Sequence, residues 1–271
     1  MTIPQLTQSI LHKRNYLCIG LDSDLSKIPK HLLSSADPIF EFNKGIIDAT
    51  KDLCVGYKIN TAFYEANGTK GWDTMEKTVH YIPNTHFAIA DAKRGDIGNT
   101  SSQYAKAFFE TMNFDAITVA PYMGEDSIRP FLEYHDKVTI VLGLTSNLGA
   151  ADFELLKVGE HYLYEKVIEK VSNYGTVNNL MYVVGATQAA WLRSIRTIIP
   201  NHYLLIPGVG FQGGSLSEVT QYGITDAVGL LVNVSRAILY ADDTERYATE
   251  AAAIAQQYHY EMGQLLEAHL K

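Results

Sequence analysis

The stretch His86-Phe87-Ala88-Ile89-Ala90-Asp91-Ala92-Lys93-Arg94-Gly95-Asp96 decides how the chain is read. It opens with a short, nearly continuous apolar run and breaks abruptly into charge. A run that does not alternate with polar residues is the pattern of a strand covered on both faces, as in a parallel sheet between helices. Seven more such runs occur, at Tyr16–Leu21, Cys54–Ile59, Ala116–Ala120, Val138–Leu144, Met181–Gly185, Tyr203–Ile206 and Ala227–Val234. Eight buried strands of this kind need helical crossovers between them.

Helical spacing fills the intervals. Ile39, Phe42, Ile46 and Ile47 form one apolar stripe; Tyr104, Ala107, Phe108 and Met112 form a second; Leu163, Val167, Ile168 and Val171 form a third. Gly175 is placed to close the third helix, and Pro83 and Pro200 follow two others. The Ala-, Glu- and Gln-rich segment from Thr244 onward predicts a terminal helix. Strands alternating with helices pair in parallel through right-handed crossovers. The expected fold is therefore α/β, a single (β/α)8 TIM barrel over residues 1–271, with an open doubly wound sheet as the alternative. At 271 residues the chain suits one barrel of roughly 250 residues. No Pro/Gly-rich linker or low-complexity tract divides it.

Composition narrows the function. The formal net charge of −8 argues against nucleic acid as a partner, although a local group of Lys and Arg can still hold a small anion. The two cysteines, Cys18 and Cys54, sit in apolar runs and are expected to be buried and reduced, without metal. The start of the chain lacks a basic segment followed by an apolar core, and no apolar run approaches the roughly 20 residues that span a bilayer. No membrane partner is expected, and the expected location is the cytoplasm.

In a barrel the active site lies at the carboxyl ends of the strands. Asp22 follows the first run; Lys58 and Asn60 end the second; Asp91, Lys93 and Asp96 end the third; Thr145-Ser146-Asn147 end the fifth; Ser235-Arg236 end the eighth. Asp91 and Lys93, two apart on a strand, point to one side. With Lys58 from the neighbouring strand and Asp96 from the loop they form a Lys-Asp-Lys-Asp row. For any one of these residues a solvated surface ion pair is the simpler account. For alternating charge at two adjacent strand ends it is the weaker one, because buried charge is costly unless paired or used.

The segment Pro207-Gly208-Val209-Gly210-Phe211-Gln212-Gly213-Gly214, with Arg236 later, has the makings of a phosphate grip. Loops after the seventh and eighth barrel strands often bind phosphate, glycines let backbone N–H groups approach the oxygens, and an arginine adds a charged fork. Gly208, Gly210 and Gly213 also match G-x-G-x-x-G, but too late in the chain to build a dinucleotide fold. The nine histidines show no metal or triad spacing, and the 17 tyrosines are ordinary packing residues.

The pattern Asp91-x-Lys93-x-x-Asp96-Ile97-x-x-Thr100 resembles the signature of orotidine 5′-phosphate decarboxylases, in a divergent bacterial subgroup. Leu21-Asp22, Lys58, Thr145-Ser146-Asn147, the glycine-rich segment and Ser235-Arg236 resemble further motifs of that family, so the resemblance spans most of the chain. Two departures stand out: Ser235 occupies a position where short members carry Gly, and the stretch near 150–161 is longer. The resemblance implies cofactor-free decarboxylation of orotidine 5′-phosphate to UMP, the last step of de novo pyrimidine synthesis. Lys93 would protonate C6, Asp91 would face the substrate carboxylate, and Lys58 would orient Asp91. Asp22 and Thr100 would bind ribose, and Ser146 the pyrimidine. Asn60, Gln212, Gly213, Ser235 and Arg236 complete the expected binding set, with Gln212 and Arg236 on the phosphate. It also implies a homodimer in which Asp96 and Thr100 complete the neighbour's site. Competing readings are a Schiff-base aldolase, a metal-dependent β-keto acid decarboxylase and a non-catalytic nucleotide-binding barrel. An aldolase needs a neutral amine in an apolar pocket, whereas carboxylates beside Lys58 and Lys93 favour the charged form.

Overall fold

All eight apolar runs become strands. A computed structural model of the chain describes residues 1–210 and 213–270. The strands are β1 (Leu17–Gly20), β2 (Gly56–Asn60), β3 (Phe87–Arg94), β4 (Ala116–Val119), β5 (Val138–Leu144), β6 (Leu180–Val184), β7 (Tyr203–Pro207) and β8 (Leu230–Val234). Each is hydrogen-bonded in parallel to its sequence neighbours, and β1 closes on β8 through Leu17↔Val232, Cys18↔Asn233 and Ile19↔Val234. The sheet is a closed barrel, so the open doubly wound alternative is excluded.

Every residue of β1, β4, β6 and β8 is buried, as the unbroken apolar runs require. Burying one such Leu, Ile or Val side chain is worth about 1.5–3 kcal/mol, so these strands hold the barrel with little help from surface pairs. Cys18 in β1 and Cys54 just before β2 are free and buried.

Between the strands lie α2 (Pro38–Thr50), α3 (Gly68–Tyr81), α4 (Gly98–Lys106), α5 (Glu125–Leu132), α6 (Leu163–Val171), α7 (Leu192–Ile198) and α8 (Leu216–Gly223), and α9 (Tyr247–His269) ends the chain. In α2 the side chain of Asp37 caps the first turn by accepting from Phe40 N, and Ile39, Phe42, Ile46 and Ile47 are the buried stripe. The stripe at Tyr104–Met112 continues from α4 into a π-helical turn over Ala107–Thr111.

Two readings need correction, and two segments not assigned an element from the sequence are structured. An eleven-residue helix, α1 (Ile3–Lys13), precedes β1 and buries Leu6 and Ile10. It covers the amino-terminal end of the barrel, where Thr7 Oγ1 meets Tyr203 Oη at 2.8 Å and Lys13 Nζ donates to the Cys54 carbonyl at 2.8 Å. The last strand begins at Leu230 rather than Ala227, because Thr225 and Val228 exchange backbone hydrogen bonds in a tight turn and Val228 and Gly229 take left-handed conformations. Gly175 does not cap α6, which ends at Val171 in right-handed geometry. Gly175 instead keeps clear of Leu132, Asn179 and Leu180, each 3.1 Å from where a Cβ would stand. The long segment after β5 forms a 3₁₀ turn, Leu148–Asp152, and a two-stranded hairpin of Lys157–Val158 with His161–Tyr162.

Candidate active site

The carboxyl ends of the strands enclose a cavity of about 470 Å³. Asp22, Lys58, Asn60, Asp91, Lys93, Ser146, Ser235 and Arg236 all line it, which brings together most of the residues expected from the sequence. Its floor is a row of alternating charge. Lys58 Nζ lies 3.1 Å from Asp22 Oδ1 and 3.1 Å from Asp91 Oδ2, and Lys93 Nζ donates to Asp91 Oδ1 at 2.6 Å.

The strands set this order. Lys58 stands opposite Gly20 on one side and Ile89 on the other, so its side chain rises between Asp22 after β1 and Asp91 in β3. Burial alone would lower the Lys58 pKa, but the two carboxylates outweigh it and hold the group above the ordinary lysine value. Burial likewise works against the Asp91 carboxylate, and Lys58 and Lys93 overcome it, holding its pKa well below the usual range. Both groups are therefore ionised at neutral pH.

Within one chain the row runs Asp22–Lys58–Asp91–Lys93, not Lys58–Asp91–Lys93–Asp96. Asp96 is not among the residues lining the cavity. Its Oδ1 accepts from Ile97 N at 2.7 Å, and its carbonyl accepts from Ser101 Oγ at 2.8 Å. Thr100, in the first turn of α4, also lies outside the lining.

Asp91 and Lys93 do face the same space, but not through regular strand alternation. Ala90 pairs with Ile117 and Arg94 with Val119, so β3 advances four residues while β4 advances two. The two extra residues form a bulge, and within it Lys93 adopts a left-handed conformation with φ 47°. For a residue with a Cβ this costs about 1–2 kcal/mol, strain of the kind that accumulates at functional sites. Beyond the bulge, Arg94 pairs with Glu65 and lies over the Tyr104 ring at 5.3 Å.

Thr118, buried in β4, was not singled out in the sequence. Its Oγ1 accepts from Lys93 N at 2.9 Å and donates to Asp91 Oδ1 at 3.0 Å. The available signal was a hydroxyl within the otherwise apolar run Ala116–Ala120. Lys27, Phe63 and Tyr240 are further lining residues that the sequence did not mark.

Asn60, which pairs with Asp91 at the end of β2, accepts from Ala62 N through its Oδ1 at 3.3 Å. Ser146 sits against Gly185, where a Cβ would approach Ser146 Cβ to 2.6 Å. Ser235 Oγ accepts from Asn233 Nδ2 at 3.2 Å and packs on Gly20, whose absent Cβ would fall 1.8 Å from that oxygen. Arg236 opens a short helix, Arg236–Leu239. Gly208 and Val209 line the cavity, whereas Gly213, left-handed at φ 88°, does not; Gln212 lies outside the described residues. The G-x-G-x-x-G match thus belongs to a loop after β7 of a barrel and not to a dinucleotide fold. Among the described residues no group of three or more His, Cys, Asp and Glu could hold a metal ion. No helix among them is long and apolar enough to cross a membrane.

The sequence model of the orotidine 5′-phosphate decarboxylase / HUMPS family matches residues 15–251. The chain belongs to this family. An orotidine 5′-phosphate decarboxylase of Flavobacterium johnsoniae is 57% identical over 270 residues, covering 98% of this chain and 99% of that one. One from Bacteroides fragilis is 52% identical over 274 residues, covering both chains completely. Among solved structures, an OMP decarboxylase of Leishmania donovani matches with a TM-score of 0.81 and 36% identity, over 96% of this chain and 99% of its own. The chain also matches a UMP synthase of the same organism, with a TM-score of 0.82 and 38% identity, and spans 56% of that longer protein. Within the family, then, the full-length likeness is to proteins named as decarboxylases of orotidine 5′-phosphate.

Proposed function

We propose that this chain, acting as a single barrel domain, converts orotidine 5′-phosphate to UMP and CO2 without a cofactor. The observation that carries the proposal is the Asp22–Lys58–Asp91–Lys93 row on the floor of the cavity. The C6–carboxylate bond breaks, CO2 departs, and the electron pair remains at C6. With no electron sink, the protein must stabilise that charge electrostatically, and more strongly in the transition state than in the ground state. The Lys93 ammonium faces C6, stabilises the developing carbanion and gives it a proton. Solvent then restores the ammonium. Asp91 places like charge beside the substrate carboxylate, and Lys58 fixes the position of Asp91.

The rest of the cavity orients the substrate. Asp22, with Asn60 nearby, bonds ribose hydroxyls, and Ser146 reads the pyrimidine amide. Arg236, with Gln212 and the backbone around Gly213 and Ser235, holds the phosphate. Binding energy from the phosphate is then available to close loops over the site and exclude water.

We further propose a homodimer in which Asp96 and Thr100 reach the partner's site. Exposed apolar side chains support this: Ile97, beside Asp96 in the chain, is 59% exposed, and Tyr122 and Phe153, whose rings meet at 6.4 Å, are 87% and 61% exposed. Large exposed apolar side chains of this kind are what an interface would cover. The two free cysteines fit a reducing compartment, and we place the reaction in the cytoplasm.

Replacing Lys93 tests the proposal. The variant Lys93→Ala is expected to lose at least the roughly 10²–10⁴-fold that a general acid supplies, while its affinity for UMP falls far less. A variant with kcat near that of the unmodified protein removes Lys93 from the chemistry.

A further inference from the structure

We infer that Thr118 is a positioning residue for the reaction: its hydroxyl locks the β3 bulge so that Lys93 and Asp91 keep the geometry in which they act. Three observations meet at this side chain. The bulge removes regular backbone pairing between Ala90 and Arg94, and the Lys93 N–H left over is taken by Thr118 Oγ1 at 2.9 Å. The same hydroxyl donates its proton to Asp91 Oδ1 at 3.0 Å, the oxygen that also receives Lys93 Nζ at 2.6 Å. Lys93 itself is left-handed at φ 47°, a conformation that persists only where its surroundings impose it.

The hydroxyl thus closes a small ring: Thr118 to the Lys93 backbone, Lys93 side chain to Asp91, Asp91 back to Thr118. Thr118 is fully buried and absent from the cavity lining, so it touches neither substrate nor solvent. Its position comes from β4, whose partner on the other side is Ile140 of β5. A rigid strand therefore holds the strained residue in place, and removing the hydroxyl takes from the Lys93 N–H the acceptor that fixes it there. A displacement of about 1 Å in a reacting group can lower a rate by the order of 10²-fold.

The kinetic part of the test rests on the decarboxylase reading, and the structural part does not. Thr118→Val keeps the shape and removes the hydroxyl; Thr118→Ser keeps the hydroxyl and removes the methyl. Thr118→Val is expected to lower kcat about 10–100-fold with the dissociation constant for UMP within about threefold. In its crystal structure Lys93 should leave the left-handed conformation and draw its Nζ away from Asp91. Thr118→Ser should restore both. Thr118→Ala, which adds no bulk beside the bulge, carries the same expectation as Thr118→Val if the latter does not fold. Lys93 unmoved in the variant without the hydroxyl, or equal losses in Thr118→Ser and Thr118→Val, overturns the inference. The crystallographic result stands whether or not orotidine 5′-phosphate proves to be the substrate.

Discussion

Lys58 is 3% exposed yet charged, and a lone ammonium so deeply buried would be untenable. Two carboxylates at 3.1 Å make it tenable, and in return it holds Asp91 for Lys93. Removing one member of such a group leaves the others uncompensated, which costs about 3–5 kcal/mol for a buried pair. Asp91→Ala should therefore lower both stability and turnover, with Lys58 and Lys93 left facing each other; denaturant unfolding and the decarboxylation assay check the two effects. An unchanged unfolding midpoint would mean that the row is solvated. Arg236 offers a different contrast. Arg236→Ala should weaken UMP binding by about 1.5–3 kcal/mol and leave uridine binding nearly unchanged, because the missing contact is to phosphate alone. Equal losses for the two ligands, measured by calorimetry, would make Arg236 a structural residue. At this scale the sequence was informative wherever a charged residue ended an apolar run, as Lys58, Asp91 and Arg236 do. It was silent on Thr118, because a threonine in a buried strand is ordinary and only the bulge beside it gives its hydroxyl a task.

Strands were more legible than their irregularities. The run Val138–Leu144 is a strand from its first residue to its last, because its residues bury on both faces, and a register shift between Leu142 and Leu144 in its pairing with β6 does not break it. Ala227-Val228-Gly229 reads equally apolar but turns, since the bonds between Thr225 and Val228 are local and a strand there would forgo them. Helix α1 has Ile3, Leu6 and Ile10 at helical spacing, but it is short, and its stability comes from the barrel end it covers. That end also carries a pH dependence. His86, ahead of β3, is buried beside Lys13 at 3.0 Å, and burial first and that ammonium second push its pKa down to about 4. His202, ahead of β7, is pushed to about 4 by burial and then by Arg196, and neither ring nitrogen has a hydrogen-bond partner. Unfolding returns both to an ordinary value near 6.5. The unfolded chain then binds more protons between about pH 6.5 and 4, so stability is full above that window and falls as pH drops through it. The loss from each shift is at most about 3 kcal/mol by pH 4, and the partial exposure of His202 makes its share the smaller. Urea melts at pH 7 and pH 4.5 measure it, and His202→Phe should flatten the slope. A slope that His202→Phe leaves unaltered would remove that histidine from the account.

At the scale of the whole molecule, closure of the barrel gathers groups from β1, β2, β3, β5 and β8 into one cavity, and that gathering was legible because each strand announces its polar end. What one chain does not contain could not be read from its strands. Asp96 and Thr100 lie outside the cavity of their own chain, so the part in the chemistry proposed for them would require a second copy. Subunit exchange tests this. A Lys93→Ala chain and an Asp96→Ala chain, each nearly inactive alone, should regain activity when mixed, because two-fold symmetry puts both defects in one site and neither in the other. No recovery, in a mixture shown to contain heterodimers, would return Asp96 to its own subunit. Beneath these questions lies the claim that protein side chains decarboxylate the substrate with no metal or cofactor. The most direct measurement is the absorbance change of orotidine 5′-phosphate as it becomes UMP, followed with the purified protein in excess EDTA and with no added cofactor. Full turnover, unchanged when magnesium replaces the chelator, is the predicted result. No conversion in EDTA, with activity returning on addition of a divalent metal, would contradict it.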